Sequence, residues 1–268
     1  MSGHFQADWL ALREPVDHQA RSRALAERLQ DWCGSRRQLC VLDLGTGTGS
    51  NRRFLAPLLP PAQYWTLVDH DPALLALDTA KDCGREWRSI QADLSEWERF
   101  AGNPSPDLVT ASALLDLVSV GWLDSLVAAC RERSAAALMV LSYDGRVEWS
   151  APDPLDDAVL TAVNAHQQRD KGLGAALGPA APGQLAARFR DAGYHVWVES
   201  SPWDLGCENA MLAQALVGGW VAAACEQLPG ACSDFRAWGE RRCADLAAGR
   251  TRVRVGHQDL LALPGSGE

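Results

Sequence analysis

The chain has no run of the ~18 apolar residues that a bilayer-spanning helix requires. Its first residues, MSGHFQADWL, contain no apolar signal core. No membrane association is therefore expected, and a cytoplasmic location is. The cysteines at 33, 40, 83, 130, 207, 225, 232 and 243 include no Cys-x-x-Cys pair. Zinc-ligand spacing is absent, and no metal site is expected. Several cysteines sit in apolar runs, Cys40 beside Val41 and Cys130 after Val127, and read as reduced, small core residues. A three-cysteine thiol site is the sharper alternative. Positive charge is in deficit: 25 Lys and Arg against 34 Asp and Glu give a net charge of −9. Long nucleic-acid partners are disfavoured, because phosphate binding needs clustered basic side chains. No repeat, low-complexity tract or linker interrupts the chain.

What remains is 268 residues, 47% hydrophobic and 22% charged, an ordinary balance for a domain with a sizeable core. Leu25, Leu29 and Trp32 recur at helical spacing and predict a helix over 16–33, stopped by Gly34. Apolar runs ending in turn residues predict strands at 39–44, 64–68, 86–92, 108–111 and 136–143. Helices are expected between them at 51–59 and 122–133, and from Asp71, which reads as an N-cap before Pro72, to about Cys83. Beyond Tyr143 the pattern predicts helices at 156–168 and 184–192, a strand at 194–200, helices at 208–227 and 233–248, and a last strand within 252–263. Such alternation implies an α/β fold, a parallel sheet covered on both faces. The working division is a single domain: an N-terminal helical cap (1–38), a core (39–143), a flap and helix (144–193), and the last strands with a helical insertion (194–268).

The strongest local signal is Val41-Leu42-Asp43-Leu44-Gly45-Thr46-Gly47-Thr48-Gly49. A buried strand runs into a glycine-rich turn that opens a helix. Glycine lets the backbone approach a ligand without a Cβ clash. The spacing is G-x-G-x-G rather than the G-x-G-x-x-G of dinucleotide folds, and Asp43 stands just before the loop. An acid there would repel a pyrophosphate and suits a cationic ligand bearing an amino group.

With these residues the chain resembles the class I S-adenosylmethionine-dependent methyltransferases, firmly over 39–143 and through topology elsewhere. The resemblance implies S-adenosyl-L-methionine as cofactor. It also implies a Rossmann-like, doubly wound seven-stranded sheet whose last strand inserts antiparallel between the fifth and sixth. Residue by residue, Gly45, Thr46, Gly47 and Gly49 would lie against the methionine moiety, with Asp43 holding its end through water. Asp69, with His70 beside it, would receive the ribose hydroxyls. Asp93 and Leu94 would meet the adenine, and Ser112 would pass under the sulfonium.

The methyl acceptor is less determined. Ala111-Ser112-Ala113-Leu114 stands where an N-P-P-Y-like motif would mark nucleobase or glutamine N-methylation, no Pro-Cys nucleophile is present, and no acidic pair typical of aminopropyl transfer follows the fourth strand. A small-molecule acceptor is expected. A protein or RNA methyltransferase, or a non-catalytic cofactor-binding partner subunit, are the alternatives. Asp116 and His166 are the candidate bases. Tyr143, Arg146, Trp149, Arg169, Lys171 and Trp203 are the candidate acceptor contacts, with the basic residues meeting an acidic group. Asp17 and Arg21 are spaced to pair on one helical face. The helices after residue 203 are expected to form a lid or pocket wall, together with the glycine-bearing segment 168–178. Monomer and homodimer are both compatible with the sequence.

Overall fold

Strand β1 (Leu39–Leu44) has every side chain buried or half-buried, which requires cover on both faces of the sheet. In the computed structural model, which describes residues 3–34, 36–77, 86–100, 104–170 and 172–265, it lies near the sheet's centre. The helix expected from Asp71 to about Cys83 ends at Leu75 among the described residues, and Lys171, Cys83 and the rest of that expected span beyond residue 77 lie outside them. The other strands are β2 (Gln63–Asp69), β3 (Glu86–Gln91), β4 (Leu108–Ser112), β5 (Ala136–Trp149), β6 (Tyr194–Ser200), β7 (Trp203–Leu205) and β8 (Val253–Pro264). They run in the order β3-β2-β1-β4-β5-β8-β6. Neighbours from β3 to β5 are parallel, and β8 is antiparallel to both β5 and β6. This is the doubly wound sheet with an inserted antiparallel last strand that the sequence predicts.

The helices are α1 (Gly3–Ala20), α2 (Arg23–Cys33), α3 (Ser50–Leu55), α4 (Pro72–Leu75), α5 (Val120–Arg133), α6 (Asp156–Gln167), α7 (Ala181–Asp191), α8 (Ala210–Gln227) and α9 (Cys232–Ala247). On one face Leu42, Val109 and Met139 pack with Leu123 and Leu126 of α5 and with Leu185 and Phe189 of α7. On the other, Val41, Leu67 and Leu138 pack with Leu25 and Leu29 of α2. A third core joins Val16 of α1, Trp149 of β5, Val159 of α6, Trp220 of α8 and Trp238 of α9. Among the described residues no helix is long and apolar enough to cross a membrane.

Four expectations change. The helix predicted over 16–33 is two helices, because Ser22 adopts an extended conformation and its side chain caps α2 through Leu25 N at 3.3 Å. Strand β5 continues to Trp149 instead of ending at Tyr143, since the long β8 partners it there (Val147↔Val255, Trp149↔Val253). Strand β7 is additional to the expected seven and pairs with the start of β8 (Trp203↔Val255). Finally, Cys225 and Cys232, expected to be reduced, are joined by a disulfide across the α8–α9 corner, their Cα atoms 4.6 Å apart.

Candidate functional site

The strand order reverses direction between β1 and β4, leaving a crevice at the carboxyl ends of the parallel strands. The glycine loop fills its floor. Gly45 N and Thr46 N both donate to Val68 O, at 2.8 and 3.1 Å, which pulls the loop toward β2. Gly45 (φ +67°) and Gly47 (φ +55°) occupy left-handed backbone conformations that favour glycine. A Cβ on Gly47 would also come within 3.1 Å of Leu10 Cδ1 of α1.

Above this floor is a cavity of about 440 Å³, within the range of small-molecule sites. Gly45, Thr46, Gly47, Asp69, His70, Asp93, Leu94 and Ser112 all line it, so most of the expected cofactor residues come together. Asp69 Oδ2 accepts from Gly47 N at 2.8 Å and Oδ1 from Asp71 N at 3.0 Å, while His70 Nδ1 lies 3.2 Å from Oδ1. Asp93 is exposed, and the bond it accepts from Ser95 N, at 2.7 Å, holds its carboxyl below the usual range. Asp71 is a cap, as its sequence context predicts: its Oδ1 accepts from Ala73 N at 2.8 Å.

Asp43 and Gly49 are in the loop assembly but do not line the cavity. Gly49 is buried and leads the chain into α3. Asp43 is fully buried beneath the loop, accepting from Thr46 Oγ1 and Asn51 Nδ2, each at 2.7 Å. Both donors line the cavity, so they stand between Asp43 and any ligand. Burial raises the Asp43 pKa to about 6, against the pull of Thr46, Asn51 and Arg21. Arg21 donates to Asn51 Oδ1 at 2.7 Å and leaves Nη2 buried without a partner. The expected Asp17–Arg21 pair is not formed. The chain turns at Arg21–Ser22, and Asp17 pairs instead with Arg13, one turn earlier, at 2.8 Å.

The acceptor-side expectations fare differently, because the longer β5 and the packing of α6 on α8 carry those residues elsewhere. Tyr143 is buried within β5 and donates to Asn164 Oδ1 at 2.9 Å; burial pushes its phenol well above its ordinary value. Arg146 is exposed and pairs with Asp144. Trp149 packs edge-on to Trp220 and Trp238, beneath the Arg242 guanidinium. His166 Nε2 lies 2.9 Å from Glu226 Oε2, and Arg169 donates to Glu226 O at 3.2 Å. None of these lines the cavity, nor do the helices α8 and α9. The expected lid is therefore not its wall; only Gly172 and Leu173, from the glycine-bearing segment, reach it. Asp116, half-buried in the turn Leu115–Leu117, does not itself line the cavity, although Leu114 and Leu117 on either side of it do. Trp203 is buried behind the wall, donating to Asp17 Oδ1 at 3.0 Å.

The wall itself comes from α1, part of the expected N-terminal cap (1–38), none of whose residues was among the expected site residues. Trp9, Leu10, Arg13 and Asp17 of α1 line the cavity. Their spacing is a helical stripe, but Pro15 interrupts the pattern, and starting the helix after it cuts the stripe in half. His257 of β8 is also new. It lies against the Trp203 ring at 4.9 Å, its Nδ1 is buried without a partner, and burial, aided by Arg13, lowers its pKa to about 3.

No family model matches the chain, and no curated protein does. Solved structures similar to it include a SAM-dependent methyltransferase from Geobacter sulfurreducens in complex with S-adenosyl-L-homocysteine (15% identity, 92% of each chain covered, TM-score 0.47). The cyclopropane synthase MmaA2 from Mycobacterium tuberculosis is another (12% identity, 89% of this chain and 83% of that one, TM-score 0.48). A third is YjhP from E. coli (14% identity, 96% of this chain and 99% of that one, TM-score 0.45).

Proposed function

We propose that this chain is an S-adenosylmethionine-dependent methyltransferase acting on a small molecule. One observation carries the reading. Around the cavity the lining residues run strand by strand, from Asp93 after β3, through Asp69 at the end of β2 and Gly45–Gly47 after β1, to Ser112 at the end of β4. That sequence of groups matches a ligand with a base, a ribose and an amino-acid tail laid across the strand ends. The residues fit such a ligand chemically. The floor presents backbone without Cβ atoms at Gly45 and Gly47, and Asp69 and Asp93 on the wall, with Asp43 below, suit a cation. S-adenosylmethionine, when bound, supplies an electrophilic methyl on a sulfonium.

The roles of the chain's own residues follow. Asp69 accepts the ribose hydroxyls; each carboxylate oxygen can accept a second bond beside the one it takes from the backbone. Asp93 and Leu94 hold the base. Thr46 and Asn51 present the buried charge of Asp43 to the amino group. Trp9, Leu10, Leu117 and Leu173 enclose the acceptor and exclude water. Asp116, flanked by two wall leucines, takes the acceptor's proton where one must leave. Calorimetric titration with S-adenosylhomocysteine tests the cofactor reading, and absence of binding would overturn it. Asp116→Asn then separates the base: turnover falls while S-adenosylhomocysteine affinity is retained. A protein that binds the cofactor but transfers no methyl to any small molecule, alone or with a partner, would favour the non-catalytic subunit.

A further inference from the structure

We propose that Arg13 anchors an anionic group, a carboxylate or a phosphate, on the methyl acceptor. This inference rests on the methyltransferase reading above and names the substrate class of the same site. Arg13 is fixed on one edge: Nε donates to Asp17 Oδ2 at 2.8 Å and Nη2 to Asp17 Oδ1 at 3.3 Å. Its face lies over the Trp203 ring, 5.0 Å from the centroid. Asp17 is itself held by Trp203 Nε1 at 3.0 Å, so the clamp does not swing freely. Among the described residues Nη1 has no hydrogen-bond partner, and Arg13 lines the cavity. The guanidinium therefore offers a pre-oriented edge, the geometry that receives a planar acid by parallel charge-assisted bonds.

The sheet order sets which end of the cavity this is. Base, ribose and tail occupy the ends of β3, β2, β1 and β4 in turn, so the reacting methyl points toward β5 and β8. Arg13 stands over Trp203, whose strand β7 pairs with β8, on that far side. The Trp9 ring, which lines the cavity 6.3 Å from the buried Trp203 ring, supplies an apolar surface for the body of the acceptor. Two of the basic residues expected from the sequence to meet an acid, Arg146 and Arg169, are engaged with Asp144 and Glu226 away from the cavity.

The test uses benzoate, phenyl phosphate and neutral benzamide as probes, titrated by ligand-observed NMR into the full chain with and without S-adenosylhomocysteine. Wild type is expected to bind one or both anions about tenfold more tightly than benzamide, with benzoate against phenyl phosphate deciding which acid is preferred. Arg13→Gln should erase the preference, Arg13→Lys should retain part of it, and S-adenosylhomocysteine affinity should stay within about twofold in both. Equal binding of benzamide to wild type overturns the proposal without needing any variant. Loss of S-adenosylhomocysteine binding in folded Arg13→Gln also overturns it, since Arg13 would then belong to the cofactor's own carboxylate. Failure of wild type to bind S-adenosylhomocysteine at all instead removes the methyltransferase reading, while the titration without it still reports on the anion site.

Discussion

Asp69 already has a backbone N–H on each oxygen, from Gly47 and Asp71. It thus ties the glycine loop to the end of β2, and under the proposed function the ribose would meet an organised carboxylate. Asp69→Ala should weaken S-adenosylhomocysteine binding by about 1–3 kcal/mol, the range for buried donors left unpaired, and calorimetry on folded protein measures it. Asp43 has the opposite character, a charge held in an unfavourable place. Its folded-state pKa of about 6 lies above the ordinary aspartate value. The stability it contributes is therefore fully present below that ordinary value and is lost as pH rises through about 6. Binding an ammonium group favours the ionised form, so cofactor-product affinity should fall as pH drops from about 8 to about 5. Asp43→Asn should flatten that dependence. A wild-type affinity independent of pH across this window would remove Asp43 from the cofactor's electrostatics.

At the scale of elements, the division of labour among helices differs from the one implied by chain order. The insertion α8–α9 leaves near the sheet's active end, yet it packs on α6 and builds its own core around Trp149, Trp220 and Trp238. Trp238 is almost wholly buried and donates to Asp156 Oδ1 at 2.8 Å. Trp238→Ala is therefore expected to lower stability by about 3–5 kcal/mol, read from denaturant melts, while the folded fraction binds S-adenosylhomocysteine normally. The cover falls to α1 and the short stretch Gly172–Leu173. Hydrogen exchange should slow in α1 between about Trp9 and Asp17, and around Leu173, when S-adenosylhomocysteine binds, with α8 and α9 unchanged. Protection appearing in α8 and α9 instead would restore them as the lid.

Over the whole molecule, the charge of −9 argues against a polyanionic partner even though single arginines line or approach the cavity. Arg13 is clamped by Asp17 and Arg53 by Glu14, so the basic groups around α1 are matched by acids rather than pooled into a patch. RNA should accordingly bind weakly at physiological salt, as filter-binding titration would show. Tight association with a steep salt dependence would promote RNA to the acceptor and displace the small-molecule reading.

The pattern of apolar strands, the glycine loop and the acids after successive strands were legible in the sequence, because each depends on neighbours a few residues away. Asp43, Gly45, Gly47, Asp69, Asp93 and Ser112 follow from strand ends, and a parallel sheet brings strand ends together whatever the details of packing. The far side of the cavity depends on contacts between residues distant in the chain. Trp203 meets Asp17 across a separation of 186 residues, and β5 runs on to Trp149 because β8 is there to pair with it. Local pattern carries no record of such partners. It ended β5 at Tyr143, cut α1 at Pro15 and paired Asp17 with the wrong arginine. The sequence by itself determined the succession of strands along the chain and the glycine loop that follows β1. Only the tertiary structure decided which helix walls the cavity and which guanidinium lines it, since both are set by what packs against α1 after the sheet has formed.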